Sequence, residues 1–309
     1  MNSKTRMLLL VSFLLSLLMA KYYFRNKQGG QLKLSDWFKP RSRFDVIATT
    51  DWLAPVVWEG LFNRQPLEKY YQKQNITVGL AVFAIGKLAG NDLNLFLQSA
   101  NKFFMPGHRV IFYIMVDTYP NLMPMQLNPL RSFQVIPLHE ENWLYNFDLM
   151  CMKFLGEHIL EHIQYEVDFL FSMSTNMVFE SEFGVETLGT SVALLHSWWY
   201  FRNTKNFPYE RRLKSAAYIP FGQGDFFYGS SIVGGTPENV LKLINEYLKD
   251  AIQDMENGVN STYEKYLNKY FFLNKPTKLL SPEYSWNPKF KPPPQVRFVK
   301  VSHYPRANF

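Results

Sequence analysis

The sequence is poor in cysteine, with Cys151 as its single thiol among 309 residues. One cysteine cannot form a disulfide within the chain, a cysteine-based zinc site or an iron–sulfur cluster. Charged residues are also sparse, at 19% of the chain, whereas hydrophobic residues make up 47% and aromatic residues 17%. This composition excludes intrinsic disorder over most of the chain, because enough apolar surface is available to form a core.

The basic excess is modest, with a formal net charge of +7 and a pI of about 9.2. Acidic residues are interspersed among the basic ones, and the only dense basic stretch lies at the N-terminus. The sequence therefore predicts no nucleic-acid partner. It contains no internal repeat or low-complexity tract, and its length allows one large α/β domain or two smaller domains.

A strongly apolar, uncharged run covers Met7–Ala20 and follows Lys4 and Arg6. As a helix it would span roughly 21 Å, or roughly 27 Å with Lys21–Phe24 included, which approaches the thickness of a thin early-secretory bilayer. This length favours an uncleaved transmembrane anchor. The alternative is a cleaved signal peptide, but Leu18 stands where cleavage after the run would need a small residue.

The sequence predicts a division of the chain into four parts. They are a cytoplasmic tail over residues 1–6, a transmembrane signal-anchor over 7–24, a stem over 25–44 and a luminal domain over 45–309. Basic residues are balanced on the two sides of the apolar run, so charge does not set its orientation. The sequons at Asn75 and Asn260 are glycosylation acceptors only if the long C-terminal part is luminal.

Two runs rich in β-branched and aromatic residues predict strands over Ile76–Ala84 and Arg109–Val116. Between them, apolar residues at helical spacing predict a helix over Asp92–Phe103. A strand, a helix and a second strand in this order predict a parallel pair. Further along, we predict a strand over Asp168–Met173 and a last strand over Val296–Val301.

Later helices are predicted over Gly156–Glu166, Glu186–Leu195 and Pro237–Met255. The mixed order of helices and strands predicts an α/β fold with a central, mainly parallel sheet covered by helices. A ligand is then expected beyond the carboxyl ends of the strands.

Seven sequence segments of this chain resemble segments that occur in the same order in one protein family. They are VGLAVFAIGK (Val78–Lys87), FMPGHRVIFYIMVD (Phe104–Asp117), EVDFLFSMSTNMVF (Glu166–Phe179), FPYERR (Phe207–Arg212), IPFGQGDFFYG (Ile219–Gly229), YLNKYF (Tyr266–Phe271) and KPTKLLSPEYSW (Lys275–Trp286). With them the chain resembles glycosyltransferase family 6, the group that contains the blood-group A and B transferases and α-1,3-galactosyltransferase. The resemblance implies a two-subdomain nucleotide-diphosphosugar transferase fold of the GT-A type.

The resemblance also implies a function. Members of the family are retaining hexosyltransferases of the Golgi membrane, which transfer galactose or N-acetylgalactosamine from a UDP-sugar to a galactose-type acceptor. The implied partners are thus a UDP-sugar donor, a glycan acceptor on a glycolipid or glycoprotein, and the membrane itself. The implied topology is single-pass type II, with the catalytic domain in the lumen.

One matching segment would hold the uracil and ribose of the donor. It consists of Phe83, Ala84, Ile85, Gly86, Lys87 and Leu88, and the last of these replaces a tyrosine of the blood-group enzymes. From the residues alone, Phe83–Ile85 ends a buried strand and equally suits core packing. Gly86 would let a nucleotide approach the backbone closely.

The family's Asp-x-Asp motif, whose two carboxylates hold Mn²⁺, is replaced here by Ser174, Thr175 and Asn176. The resemblance makes Mn²⁺ the family cofactor, but without its usual ligands we predict no metal site. Bacterial members carry Asn-x-Asn at this position and are regarded as metal-independent, so no cofactor is required for that type of reaction. The donor-site arginine of the blood-group enzymes aligns with Cys151, and Lys153 is a candidate substitute.

Glu264 matches the family's catalytic glutamate, which acts as nucleophile or electrostatic stabiliser of an oxocarbenium-like centre. Without the resemblance, a glutamate beside Lys265 in a polar stretch is typical of a solvated surface. The surrounding pattern has changed, because Ser261 replaces a tryptophan and Tyr263 an aspartate. A glycan on Asn260 would also lie close to the predicted nucleophile.

The position that contacts the acceptor sugar in relatives is occupied by His196, Ser197, Trp198 and Trp199. Aromatic faces suit the apolar side of a galactose ring, and the histidine can hydrogen-bond a hydroxyl group. The alternative is that the tryptophans end a helix and fill core space. Asn287 stands where the family has an aspartate, so we expect altered acceptor recognition.

Two functions follow as hypotheses. One is an active hexosyltransferase with altered or absent metal dependence, supported by Glu264 and the two sugar-binding segments. The other is a Golgi pseudoenzyme that binds a nucleotide, a glycan or a protein partner without turnover, supported by the lost Asp-x-Asp motif and by Cys151. A secreted, non-enzymatic protein is a third possibility and would require cleavage of the N-terminal segment.

Overall fold

The computed structural model describes residues 32–86, 91–117, 126–138 and 147–303. An eight-stranded sheet lies at its centre, with the strand order β1-β9-β7-β8-β5-β2-β3-β4. Its strands are β1 (Val56–Val57), β2 (Thr77–Ala84), β3 (Arg109–Val116), β4 (Arg131–Pro137), β5 (Phe169–Met173), β7 (Ser191–Leu195), β8 (Tyr228–Gly235) and β9 (Lys278–Leu280). A separate antiparallel pair is formed by β6 (Met177–Phe179) and β10 (Val301–His303).

The sheet is mixed and largely parallel. Strands β4, β3, β2 and β5 run parallel, β8 is antiparallel to both of its neighbours, and β7, β9 and β1 are again parallel. The helices that accompany the sheet are α1 (Leu34–Trp37), α2 (Arg64–Gln74), α3 (Asn91–Phe103), α4 (Phe147–His158), α5 (Gln164–Glu166), α6 (Ser197–Tyr200), α7 (Pro237–Glu256) and α8 (Tyr263–Leu273). The predicted α/β class is thereby confirmed.

The predicted parallel pair is present, with α3 between β2 and β3 and with Val78 opposite Val110. The helix predicted over Gly156–Glu166 lies inside a longer one, in which a π-helical turn over Ile159–Ile163 joins α4 to α5. Because β2 and β5 are parallel neighbours, their carboxyl ends meet at one edge of the sheet.

Two sequence predictions are wrong. Glu186–Leu195 is a short 3-10 turn over Val185–Thr187 followed by β7, not a helix. Strand β7 lies between β8 and β9, so its apolar run is buried and has no alternating pattern to distinguish it from a buried helix. The last strand begins at Val301 rather than Val296, because only Val301–His303 pairs with β6.

Part of the segment predicted as stem packs on the domain. Helix α1 lies within it, and Trp37 and Phe38 are buried in the main hydrophobic core. Arg43 is also buried and forms an ion pair with Asp45. No helix among the described residues is long and apolar enough to cross a membrane, and the predicted anchor over residues 7–24 lies outside them.

Candidate functional site

Two adjoining cavities lie at the carboxyl edge of β2 and β5. The smaller, here called the inner pocket, has a volume of about 190 Å³ and is lined by Phe83, Phe147, Asp148, Cys151, Met152, Ser172, Met173, Ser174, Thr175, Asn176, Ser230, Val233 and Tyr263. The larger, here called the outer cleft, has a volume of about 910 Å³ and is lined by Asn176, His196, Ser197, Trp198, Phe201, Arg202, Trp286, Asn287, Lys289, Phe290, Lys291, Pro293 and His303. Asn176 belongs to both walls, so the two cavities meet there.

The turn Ser174–Asn176 connects β5 to β6 and is held by the neighbouring strand β8. Ser174 N–H donates a hydrogen bond to Ser231 O at 3.1 Å. Thr175 is 3% exposed, and its Oγ1 has no hydrogen-bond partner among the described residues. A buried hydroxyl without a partner is costly unless a ligand or water supplies one.

The donor set of this turn does not fit Mn²⁺. A hydroxyl, a buried hydroxyl and a side-chain amide offer no negative charge, whereas this cation is suited by carboxylate oxygens. Among the described residues lining the inner pocket, the only carboxylate is that of Asp148, which is exposed at the first turn of α4. No lysine or arginine is among those lining residues, and Cys151 is buried in the same wall.

Glu264 lies in the first turn of α8 and its carboxylate faces strand β8. The Ser230 backbone N–H and hydroxyl donate to Glu264 Oε1 at 3.3 and 3.4 Å. Burial raises the pKa of this carboxyl group above its ordinary value, and the two hydrogen bonds from Ser230 oppose that shift. The residue is therefore not the solvated surface glutamate that its polar neighbours suggest, and it contacts a residue of the inner pocket.

Asn268 fixes α8 to β8 one turn beyond the glutamate. Its Nδ2 donates to Tyr228 O at 2.9 Å and to Glu264 O at 2.8 Å, and its Oδ1 accepts from Tyr228 N–H at 2.8 Å. The residue is fully buried. Sequence reasoning did not single it out, although a helical spacing of four residues from Glu264 was a usable signal.

Glu210 holds the segment that leads into α8. Its carboxylate forms ion pairs with Arg212 at 2.8 Å and Lys265 at 3.1 Å, and Ser261 Oγ donates to it at 3.0 Å. The hydrogen bond from Arg212 in particular lowers the pKa of the Glu210 carboxyl group. Ser261, which stands where relatives have a tryptophan, thus has a structural contact, and Asn260 beside it is exposed.

The predicted acceptor residues divide between two environments. His196 lines the outer cleft, and its Nδ1 accepts a hydrogen bond from Trp198 N–H at 3.2 Å, which leaves the proton of the neutral ring on Nε2. Burial lowers the pKa of His196 to about 4. Ser197 and Trp198 also line the cleft, whereas Trp199 packs on Phe227 with ring centroids 6.0 Å apart. Trp198 thus faces the cleft, whereas Trp199 fills interior space.

Of the predicted donor segment, Phe83 lines the inner pocket, Ala84 is buried and Ile85 packs on the core. Gly86 has a left-handed backbone with φ of 58°, and its N–H donates to Asp117 Oδ2 at 2.9 Å. Among the described residues, no atom lies within 4 Å of where its side chain would be. Lys87 and Leu88 lie outside the described residues.

A short polar chain joins the outer cleft to β8. His303 Nε2 and Ser285 Oγ are 2.7 Å apart, and Ser285 Oγ is 3.2 Å from Ser231 Oγ. Sequence reasoning missed Ser285, which lies between the other two residues. It also missed the cationic side chains of the cleft, since they lie on two separate loops.

A mixed, largely parallel α/β sheet with a pocket at its carboxyl edge and an adjoining aromatic cleft is an architecture of the GT-A type of sugar transferase. The chain belongs to glycosyltransferase family 6, whose profile matches residues 18–308.

Three relatives illustrate the range of similarity. The glycosyltransferase 6 domain-containing protein 1 of Macaca fascicularis is 66% identical over 303 residues, covering 98% of each chain. The N-acetyllactosaminide alpha-1,3-galactosyltransferase-like 1 of Rattus norvegicus is 49% identical and covers 100% of both chains. The globoside alpha-1,3-N-acetylgalactosaminyltransferase 1 of Gallus gallus is 39% identical over 84% of this chain and 76% of its own. A glycosyltransferase function is supported by these relationships.

Proposed function

We propose that this protein is a retaining hexosyltransferase that moves galactose or N-acetylgalactosamine from a UDP-sugar to a galactose-type glycan without a divalent metal. Relatives named for galactosyl and N-acetylgalactosaminyl transfer support the sugar class. The neutral donor set of the Ser174–Asn176 turn supports metal independence.

The observation that carries the proposal is the position of Glu264 relative to the two cavities. Its carboxylate is hydrogen-bonded to Ser230, which lines the inner pocket. Asn176 forms part of both the inner pocket and the outer cleft. A donor sugar in the inner pocket and an acceptor in the outer cleft would meet beside this shared wall.

In the proposed reaction the bond between the anomeric carbon and the phosphate oxygen breaks and UDP leaves. An acceptor hydroxyl bonds to the same carbon and gives its proton to the departing diphosphate. The ionised Glu264 carboxylate stabilises the positive charge that develops there, or attacks the carbon directly. The leaving diphosphate is held by neutral donors, which include the Ser174 and Thr175 hydroxyl groups and the Asn176 amide. His196 Nε2–H orients the acceptor through one of its hydroxyl groups.

The test is UDP release by the full chain with UDP-galactose or UDP-N-acetylgalactosamine and a galactoside acceptor, in EDTA and in Mn²⁺. Glu264→Gln should abolish release in both. The matched control is Glu238→Gln, since Glu238 also lies in the first turn of its helix but is exposed. Release that is unaffected by Glu264→Gln would contradict the proposal.

A non-catalytic binding function is the second candidate. It is favoured by the lack of lysine and arginine among the described lining of the inner pocket, where a diphosphate must otherwise be neutralised. Saturable UDP binding without release of UDP from either donor would establish it. Lack of UDP binding would contradict both the catalytic and the non-catalytic function proposed for the inner pocket.

We further propose that the chain is a single-pass type II protein of the Golgi membrane, anchored by residues 7–24 and glycosylated in the lumen. Asn75 and Asn260 are both exposed, which suits modification. A mobility shift on treatment with peptide N-glycosidase, lost in Asn75→Gln and Asn260→Gln together, is the expected result. An unshifted native chain would contradict luminal modification.

A further inference from the structure

The outer cleft has an excess of positive charge. Arg202, Lys289 and Lys291 line it, and the described lining contains no aspartate or glutamate. None of the three cations forms an ion pair with another described residue. All three residues are exposed and line the cleft, so their charges are accessible to a ligand that enters it.

We propose that the glycan bound in the outer cleft is anionic, carrying a sulfate or a carboxylate close to its galactose-type acceptor residue. This inference rests on the proposed function, since it specifies the acceptor of the same site. A cleft that is lined by cations and lacks acids attracts anions and disfavours cations.

The aromatic surface of the cleft is held beside these charges. The Arg202 guanidinium carbon lies 4.3 Å from the Trp198 ring centroid, and the Phe290 ring centroid lies 5.2 Å from it. A sugar ring that stacks on Trp198 is thus adjacent to a guanidinium group, which can form two parallel hydrogen bonds with a carboxylate or a sulfate.

The loop that carries the two lysines is fixed by its own hydrogen bonds. Lys289 N–H donates to Asn287 Oδ1 at 3.0 Å, and Trp286 Nε1–H donates to Phe290 O at 2.9 Å. Asn287 also lines the cleft and is neutral, so it does not repel an anion there.

The experiment compares three probes for binding to the full chain by calorimetry, without donor and without turnover. They are a neutral galactoside, its 6-sulfate ester and a sialylated galactoside. We expect at least one charged probe to bind about tenfold more tightly than the neutral one at low salt, with the preference reduced in 0.5 M salt. The charged probe that binds more tightly identifies the anionic group.

The variant that tests the assignment combines Arg202→Gln, Lys289→Gln and Lys291→Gln. The affinities of this variant for the charged and neutral probes should lie within about twofold of each other. The control is Lys205→Gln, an exposed lysine outside the lining of the cleft, which should keep the preference.

Equal or weaker binding of both charged probes, or a preference that persists in the triple variant, would overturn the inference. So would failure of all three probes to bind. A separate titration with UDP reports on the inner pocket alone, so loss of the donor function and loss of the anionic preference are distinguishable.

Discussion

Ser230 donates two hydrogen bonds to Glu264, one from its backbone N–H and one from its hydroxyl, at 3.3 and 3.4 Å from Oε1. Both bonds favour the ionised carboxylate, while burial opposes it more strongly and leaves the pKa raised. The catalytic role proposed for Glu264 requires the ionised form. Activity should therefore be lost on acidification at a higher pH than that of an ordinary glutamate, about 4.3.

The measurement is the pH profile of UDP release, together with a carbon-13 NMR titration of the Glu264 carboxyl group, which needs no turnover. Ser230→Ala removes the hydroxyl donor but keeps the backbone N–H, so it should move both midpoints further upward. A midpoint near the ordinary value, unchanged by Ser230→Ala, would show that burial does not control this carboxyl group.

Asn268→Ala should destabilise the fold by about 2–4 kcal/mol, because it removes three hydrogen bonds, two of them buried, and leaves the Tyr228 N–H and C=O unpaired. Asn268→Asp should be at least as harmful, since it buries a carboxylate beside two carbonyl oxygens. Urea unfolding monitored by circular dichroism gives both values.

The matched control is Asn245→Ala on the exposed side of α7, which should change the free energy of unfolding by less than about 0.5 kcal/mol. If Asn268→Ala unfolds at the same urea concentration as the wild type, the clamp between α8 and β8 does not contribute to stability.

The extent to which sequence predicted this structure differs between elements. Strands β2 and β3 follow from their β-branched and aromatic runs, whose bounds are within one residue of the predicted ones. Strand β7 was mistaken for a helix, because a run buried between two strands has no face pattern of its own.

The site, like the fold, was predicted from the sequence only in part. The motif positions Ser174–Asn176, Phe83 and His196 were located by resemblance, and they line the two cavities. The roles of Asn268 and Glu210 depend on contacts between residues 40 and 51–55 positions apart, which no local pattern reveals. Whether a tryptophan lines the cleft, as Trp198 does, or packs inside, as Trp199 does, depends on the side of a four-residue helix that its ring occupies.

His196 should remain neutral throughout the range in which a free histidine titrates. Burial lowers its pKa to about 4, so the neutral ring, with its proton on Nε2, is the form that would contact the proposed acceptor. Nitrogen-15 NMR of the imidazole should show no titration between pH 5.5 and 7.5, in the range around the ordinary value of about 6.5. A titration midpoint near 6.5 would mean that the ring is charged at mildly acidic pH and donates from both nitrogens.

Introducing two carboxylates into the turn after β5 should make UDP binding depend on a divalent metal. In the variant that combines Ser174→Asp and Asn176→Asp, the two carboxylates provide the charged oxygen ligands that Mn²⁺ prefers. In EDTA the same charges repel the diphosphate, so UDP should bind about tenfold more weakly than to the wild type.

With Mn²⁺ present, the affinity of the double variant for UDP should recover by about tenfold or more, whereas that of the wild type should be unchanged. The neutral control Ser174→Asn should behave as the wild type under both conditions, which separates charge from side-chain size. Calorimetric titration with UDP measures the affinity of all three proteins for this nucleotide. Mn²⁺-dependent binding by the native chain would contradict the inference from its neutral donor set, because ligands other than Ser174 and Asn176 would then have to hold the ion.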